Sequence, residues 1–143
     1  MENINSILLK AFNKHFFEFL DDIIRVCPEN SHLGVCRSYF ETTKFANPTI
    51  LIRIWYTFIW VPYHQHITDG DLTFFFDKDY TNDLKLLQNH EEIIKIINTS
   101  VRDPLKSMDD VNRQHFTKHF QLVSNLCAKY SENRKLLYPR DYL

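Results

Sequence analysis

Two pairs of histidines are the residues of this sequence whose type and spacing could do chemistry. His64 and His66 flank one glutamine in the stretch WVPYHQHI, whereas His115 and His119 lie four residues apart in HFTKH. An imidazole nitrogen binds transition metals and exchanges protons near neutral pH. A metal site would need both members of a pair to point at one ion, so each candidate depends on the backbone that carries it.

The first pair depends on Pro62. Residues two apart on an α-helix point about 200° apart, so His64 and His66 converge only if the proline breaks the helix into extended chain. Their neighbour Tyr63 adds a hydroxyl, but no carboxylate or thiolate stands at ligand spacing. The simpler interpretation is a helix terminus where imidazoles meet the last carbonyl groups. We expect WVPYHQHI to end a buried helix and to bind no metal.

The second pair has genuine metal-binding spacing, because residues four apart share one face of a helix. HFTKH nevertheless lacks the glutamate that follows the first histidine of zinc peptidases, and Lys118 would repel a cation. We therefore expect His115 and His119 to be half-exposed side chains beside an apolar stripe that contains Phe116 and Phe120. No metal is predicted here either.

The remaining chemical candidates are weaker still. Cys27 and Cys36 are nine residues apart, outside the spacing of zinc knuckles, and with Cys127 they are expected to be reduced, buried thiols. Two glycines leave no phosphate-binding loop. Four acidic residues lack the calcium-loop rhythm and are expected to form caps and turns: Asp69, Asp71, Asp77 and Asp79. We predict no catalytic, cofactor-binding or metal-binding residue, and no enzyme.

Composition limits the class of protein. The chain has 143 residues, 44% of them apolar, which suits one domain over 1–143 with an ordinary core. The small number of turn residues argues against all-β folds and disorder. A net charge of −1 argues against a nucleic-acid partner. The start of the chain does not resemble a signal peptide, and the longest apolar run is too short to span a membrane and contains Arg53.

Apolar periodicity predicts an all-α domain of five or six helices around a central buried helix at about residues 49–66. An amphipathic helix covers 3–27, and a turn at PENSHLG precedes a helix over 35–46. Asn47 caps the central helix and Pro48 opens it. The later elements are a turn at Asp69-Gly70 with a short helix after it, helical sequence over 84–98, a last helix that begins near Ser107 with a capping box, and a surface tail over 132–143.

Four stretches resemble a family of small uncharacterised helical proteins encoded by large and giant DNA viruses of algae and amoebae (nucleocytoplasmic large DNA viruses). They are FEFLDDIIRVCP, VPYHQHI, FFFDKDY and HFQLVSNLCAKY, which together run over most of the chain. The chain departs from that pattern at Cys27, where a large apolar residue is expected, and at His115-Phe116. The resemblance implies a viral origin and a place in the virion or in the viral factory of the host cytoplasm, and it transfers no functional residue.

These observations favour a non-enzymatic viral helical interaction protein, such as a minor structural or virion-associated component. The chain has 12 phenylalanines, 7 tyrosines and 2 tryptophans, and Tyr80, Tyr138 and Tyr142 are candidate contact anchors. The expected partners are other viral proteins or a second copy. The alternative is a nucleic-acid accessory factor of the infected cytoplasm, with a basic face made of Lys118, Lys129, Arg134, Lys135 and Arg140. A metal-dependent hydrolase that uses the histidines is the third hypothesis.

Overall fold

The computed structural model describes residues 3–26, 31–71 and 108–134, and these ranges form helices with no β-strand among them. The all-α prediction is confirmed. The predictions for residues 72–107 and 135–143 lie outside the described residues. The elements are α1 (Ile4–Val26), α2 (Ser31–Ala46), α3 (Ile50–Trp55), a π-helical turn (Tyr56–Trp60), α4 (Val61–Thr68) and α5 (Asp110–Arg134). The middle three run on continuously as the predicted central helix.

Helix α1 forms because its apolar residues recur every three or four positions and can be buried on one side. That side packs along α5, the most extensive contact between two helices of the described part. Phe19 lies against Phe116 and Phe120, and Asp22 lies against His115, so the two helices are antiparallel. This pairing brings Asp22 of α1 to the histidines of α5.

Helix α2 begins at Ser31, four residues before the predicted start, and PENSHLG is therefore not a turn throughout. The prediction gave too much weight to Gly34, which costs a helix about 1 kcal/mol relative to alanine. Leu33 is 3% exposed, and its burial in the core offsets that cost. A Cβ at Gly34 would contact nothing within 4 Å, so no packing requires the glycine.

The predicted cap of the central helix is displaced by two residues. Pro48 lies in a turn, and the helix begins at Ile50 with Thr49 at its N-cap position. Asn47 still accepts hydrogen bonds, at 3.1 Å from the N–H of Thr49 and 2.8 Å from its hydroxyl. Its side chain therefore stabilises the turn before the helix rather than the first helical residues.

Pro62 does not break the central helix. A proline lacks the N–H for a helical bond and its ring clashes with the carbonyl four residues earlier. The helix accommodates this by widening into the π-helical turn just before it, where the N–H of Val61 donates to the carbonyl of Tyr56, five residues back. It then continues to Thr68. Gly70, at φ +76°, allows the N–H of Asp71 to return to the carbonyl of His66, so the predicted turn at Asp69-Gly70 is confirmed.

Helix α5 starts later than predicted. Asp109 is its N-cap and accepts a hydrogen bond of 2.8 Å from the N–H of Asn112. The cap is therefore two residues after Ser107, the predicted cap, which lies outside the described residues. Val111 is 77% exposed and does not belong to the apolar stripe. The rest of the predicted stripe is buried: Phe116, Phe120, Val123, Cys127 and Tyr130.

The core is centred on Trp55 of α3. Its ring lies 5.0 Å from Phe120 and about 6 Å from three phenylalanines of α1, namely Phe12, Phe16 and Phe19. Its indole Nε1–H donates to the hydroxyl of Ser124 at 3.0 Å, in a site closed to solvent. Three helices meet at this one residue. None of the described helices is both long and apolar enough to span a membrane.

Candidate functional site

The structure separates the first histidine pair. Because α4 is a regular helix through both positions, His64 and His66 point to different sides and both are exposed. The Nδ1 of His64 donates to the carbonyl of Val61 at 3.2 Å, and the Nδ1 of His66 lies 3.9 Å from a carboxylate oxygen of Asp71. WVPYHQHI is thus a helix terminus with local imidazole contacts, as the sequence indicated.

The second pair converges on a carboxylate of another helix. The Nε2 of His115 and the Nδ1 of His119 lie 3.0 Å and 2.9 Å from the same oxygen, Oδ2 of Asp22. The His119 side chain is 11% exposed, whereas that of His115 is 57% exposed. The sequence analysis placed the two histidines beside the Phe116–Phe120 stripe but gave them no carboxylate partner.

Two residues of α1, His15 and Glu18, lie beside this contact. The Nδ1 of His15 lies 2.9 Å from Oε2 of Glu18, and the His15 ring is centred 6.3 Å from that of His119. The His119 ring also meets the ring of Phe19 edge-on, with centroids 5.5 Å apart. We call Asp22, His115, His119, His15 and Glu18 the histidine–carboxylate cluster. It lies on the seam between α1 and α5, where the apolar contact gives way to solvent.

Asp22 carries the negative charge of the inner part of this cluster. Partial burial would raise the pKa of its carboxyl, but hydrogen bonds from His119 and His115, together with their positive charge when protonated, lower the pKa below the ordinary 3.8. Its other oxygen lies 3.9 Å from the guanidinium of Arg25. Asp22 is therefore ionised at neutral pH and can only accept hydrogen bonds, so both imidazole nitrogens that face it must carry protons in this arrangement.

The cluster has the donors of a metal site. One potential ligand atom each from Asp22, His115 and His119 lies within 4.8 Å of the others, and the same holds for His15, Glu18 and His119. The hollow beside Asp22 encloses about 10 Å³, the space of roughly one water molecule. The arrangement can hold an ion or bind protons between two helices.

The other sequence candidates do not assemble into a site within the described part. Cys36 and Cys127 are buried, burial raises the pKa of the Cys127 thiol, and Cys27 is outside the described residues. Asp69 and Asp71 end α4, while Asp77 and Asp79 are outside. Of the proposed basic face, Lys118 and Lys129 are exposed on α5, which extends to Arg134, into the predicted tail. The remaining predicted basic residues and contact anchors are outside the described residues: Lys135, Arg140, Tyr80, Tyr138 and Tyr142.

A second surface carries three exposed apolar side chains of α2, with the exposed Ser38 and Thr42 between them. Val35, Tyr39 and Phe45 of α2 are 70%, 59% and 91% exposed. They fall within about 120° of arc on the helix, so they share one side of it. An open groove of about 680 Å³ separates α2 from α1 beside this side, with Phe45 and Phe17 among its lining residues. We call these three side chains the α2 face.

Searches with the chain against protein-family models, curated protein sequences and solved structures found no match. The structural features that bear on function are the histidine–carboxylate cluster and the α2 face. Asp22, His15 and Glu18 are the cluster residues that the sequence analysis missed. One signal in the sequence could have found them, namely their position beside the buried phenylalanines of α1. When the apolar stripes of two helices pack together, the polar residues that flank one stripe lie close to those that flank the other.

Proposed function

We propose that the protein is a non-enzymatic helical interaction protein, a minor virion-associated component of a large DNA virus. The observation that supports this most is the α2 face, with Phe45 91% exposed beside the groove. Single exposed apolar side chains are ordinary, but three on one side of one helix favour a contact surface. The viral assignment rests on the sequence resemblance.

The occupant we propose for the α2 face is a helix of another viral protein. Val35 and Phe45 are ten residues apart, so the face is about 15 Å long, the length of a three-turn amphipathic helix. Glu41 and Lys44 bring both signs of charge to the groove that Phe45 also lines, which suits a partner helix of mixed charge better than a polyanion. Arg37 is already held by Asp21 at 2.6 Å and Glu41 at 2.8 Å.

The test is co-purification from infected cells after cross-linking, with tagged wild type and the variant Tyr39→Ser/Phe45→Ser. We expect a viral protein to be captured by wild type and lost with the variant, because both side chains are exposed and their removal leaves the core intact. Val111→Ser on α5, also exposed, is the matched control and should retain the partner.

Three outcomes would contradict the proposal. The first is capture that the α2 variant does not change. The second is a wild-type protein absent from purified particles and without a viral partner. The third is a homodimer in sedimentation equilibrium that Phe45→Ser dissociates, because the occupant of the α2 face would then be a second copy.

A further inference from the structure

We propose that Asp22, His115 and His119 form a binding site for one divalent first-row transition ion, of which zinc is the representative. The site would join α1 to α5 through metal–ligand bonds. This inference uses neither the α2 face nor a partner protein, so it goes beyond the proposed function and can fail or succeed independently of it.

Two of the three distances between ligand atoms are close to those of a zinc site, and the third, between the two imidazoles, is within 4.8 Å. Two ligand atoms each about 2.0 Å from a tetrahedral ion lie about 3.3 Å apart. The oxygen of Asp22 is 3.0 Å from His115 Nε2 and 2.9 Å from His119 Nδ1, so an ion would enter after the atoms separate by a few tenths of an ångström. The two histidines come from one turn of α5, four residues apart, which is an established way for a helix to present two imidazoles to zinc.

The types of donor favour a transition ion. Two imidazole nitrogens and one carboxylate oxygen suit zinc, iron, nickel or copper, whereas calcium and magnesium prefer oxygen ligands throughout. The hollow beside the three ligands leaves space for a water molecule in the remaining position.

Charge also favours a cation. Asp22 and Glu18 bring two negative charges to the cluster, which a divalent ion would balance. Arg25 opposes this only at the outer oxygen of Asp22, at 3.9 Å. Lys118, which the sequence suggested would repel a cation, is exposed, so solvent and salt screen its charge.

The neighbouring pair supports His119 from outside. Ligand atoms of His15 and Glu18 lie within 4.8 Å of one of the His119 nitrogens. Metal-bound histidines usually donate their second N–H to a carboxylate or another acceptor, which fixes the ring. We assign this positioning role to His15 and Glu18, so that Glu18→Gln should weaken zinc binding about tenfold without abolishing it.

The experiment uses untagged protein, stripped with a chelator and titrated with zinc against a chromophoric chelator. We expect one zinc per chain in wild type and at least a hundredfold weaker binding in His115→Gln/His119→Gln. The double variant His64→Ala/His66→Ala controls for adventitious surface histidines and should bind as wild type does. Saturating zinc, at about a hundred times the dissociation constant, should raise the melting temperature of wild type by roughly 6–10 °C. It should leave the melting temperature of His115→Gln/His119→Gln, the cluster variant, unchanged.

Other results would overturn the site. These are sub-stoichiometric zinc in wild type, binding that the cluster variant retains, or binding that the His64→Ala/His66→Ala control loses. Asp22→Asn is nearly isosteric and His115 is exposed, so we expect Asp22→Asn and His115→Gln to fold as wild type does. Circular dichroism of these two variants shows whether lost zinc binding reflects a lost ligand or a lost fold. Cobalt provides a second readout, because a tetrahedral site gives intense visible absorption, which Asp22→Asn should abolish.

Discussion

Replacing Phe120 by alanine is expected to lower the free energy of unfolding by about 3–5 kcal/mol, the range for a large aromatic side chain removed from a core. Phe120 is 2% exposed, and its ring lies 5.0 Å from Trp55, 5.9 Å from Phe19 and 6.1 Å from Phe116. The cavity would therefore open where α1, α3 and α5 meet. Total stabilities of such domains are about 5–15 kcal/mol, so this one change would remove a large share.

Urea unfolding of wild type and Phe120→Ala measures this loss as a shift in the midpoint at an unchanged slope. Leu122→Ala is the matched control, because Leu122 is two residues away, on the other side of α5, and 41% exposed. It should cost less than about 1 kcal/mol. A loss below about 1 kcal/mol for Phe120→Ala would mean that α5 does not pack on Trp55 as described.

The second large effect is expected at the hydrogen bond inside the core. Ser124 is fully buried and accepts the indole N–H of Trp55 at 3.0 Å. Ser124→Ala removes the acceptor and leaves that N–H buried and unsatisfied, which costs about 1–3 kcal/mol. Ser131→Ala is the control, since that hydroxyl donates to the carbonyl of Ala128 in its own helix, and its loss should cost a few tenths of a kcal/mol.

A double-mutant cycle separates the hydrogen bond from packing. In a Trp55→Phe background no indole N–H remains to be satisfied, so Ser124→Ala should be nearly neutral there. Equal destabilisation by Ser124→Ala in both backgrounds would show that the two residues do not interact.

The sequence predicted helices best where a long apolar stripe defined them. The ends of α1 agree with the prediction within one residue because the stripe begins and ends with the helix. The start of α2 was predicted wrongly because burial of Leu33, a tertiary contact, outweighed the propensity of Gly34. Pro62 was correctly identified as a perturbation, but a single sequence does not show whether a helix answers a proline by ending or by a π-helical turn.

The candidate site depended on a pairing that one sequence does not contain. HFTKH has the spacing to place two imidazoles on one face of a helix, and this could be predicted from the sequence. Asp22 is 93 residues from His115, and its approach follows from the antiparallel packing of α1 on α5. The stripes of both helices were predictable. Which side of the α1 stripe faces which side of the α5 stripe depends on the order and handedness of the helices. The three-dimensional structure was therefore needed to identify Asp22 as the partner of the histidines.

The central claim is that Asp22 holds His115 and His119 through one carboxylate oxygen, and the imidazole nitrogen spectrum tests it most directly. In metal-free protein, a long-range proton–nitrogen correlation spectrum should show His119 with a proton on Nδ1 and His115 with a proton on Nε2, the two nitrogens that face Asp22. Asp22→Asn should shift both sets of signals and leave those of His64 and His66 in place. A His119 that carries its proton at Nε2, with signals indifferent to Asp22→Asn, would contradict the claim.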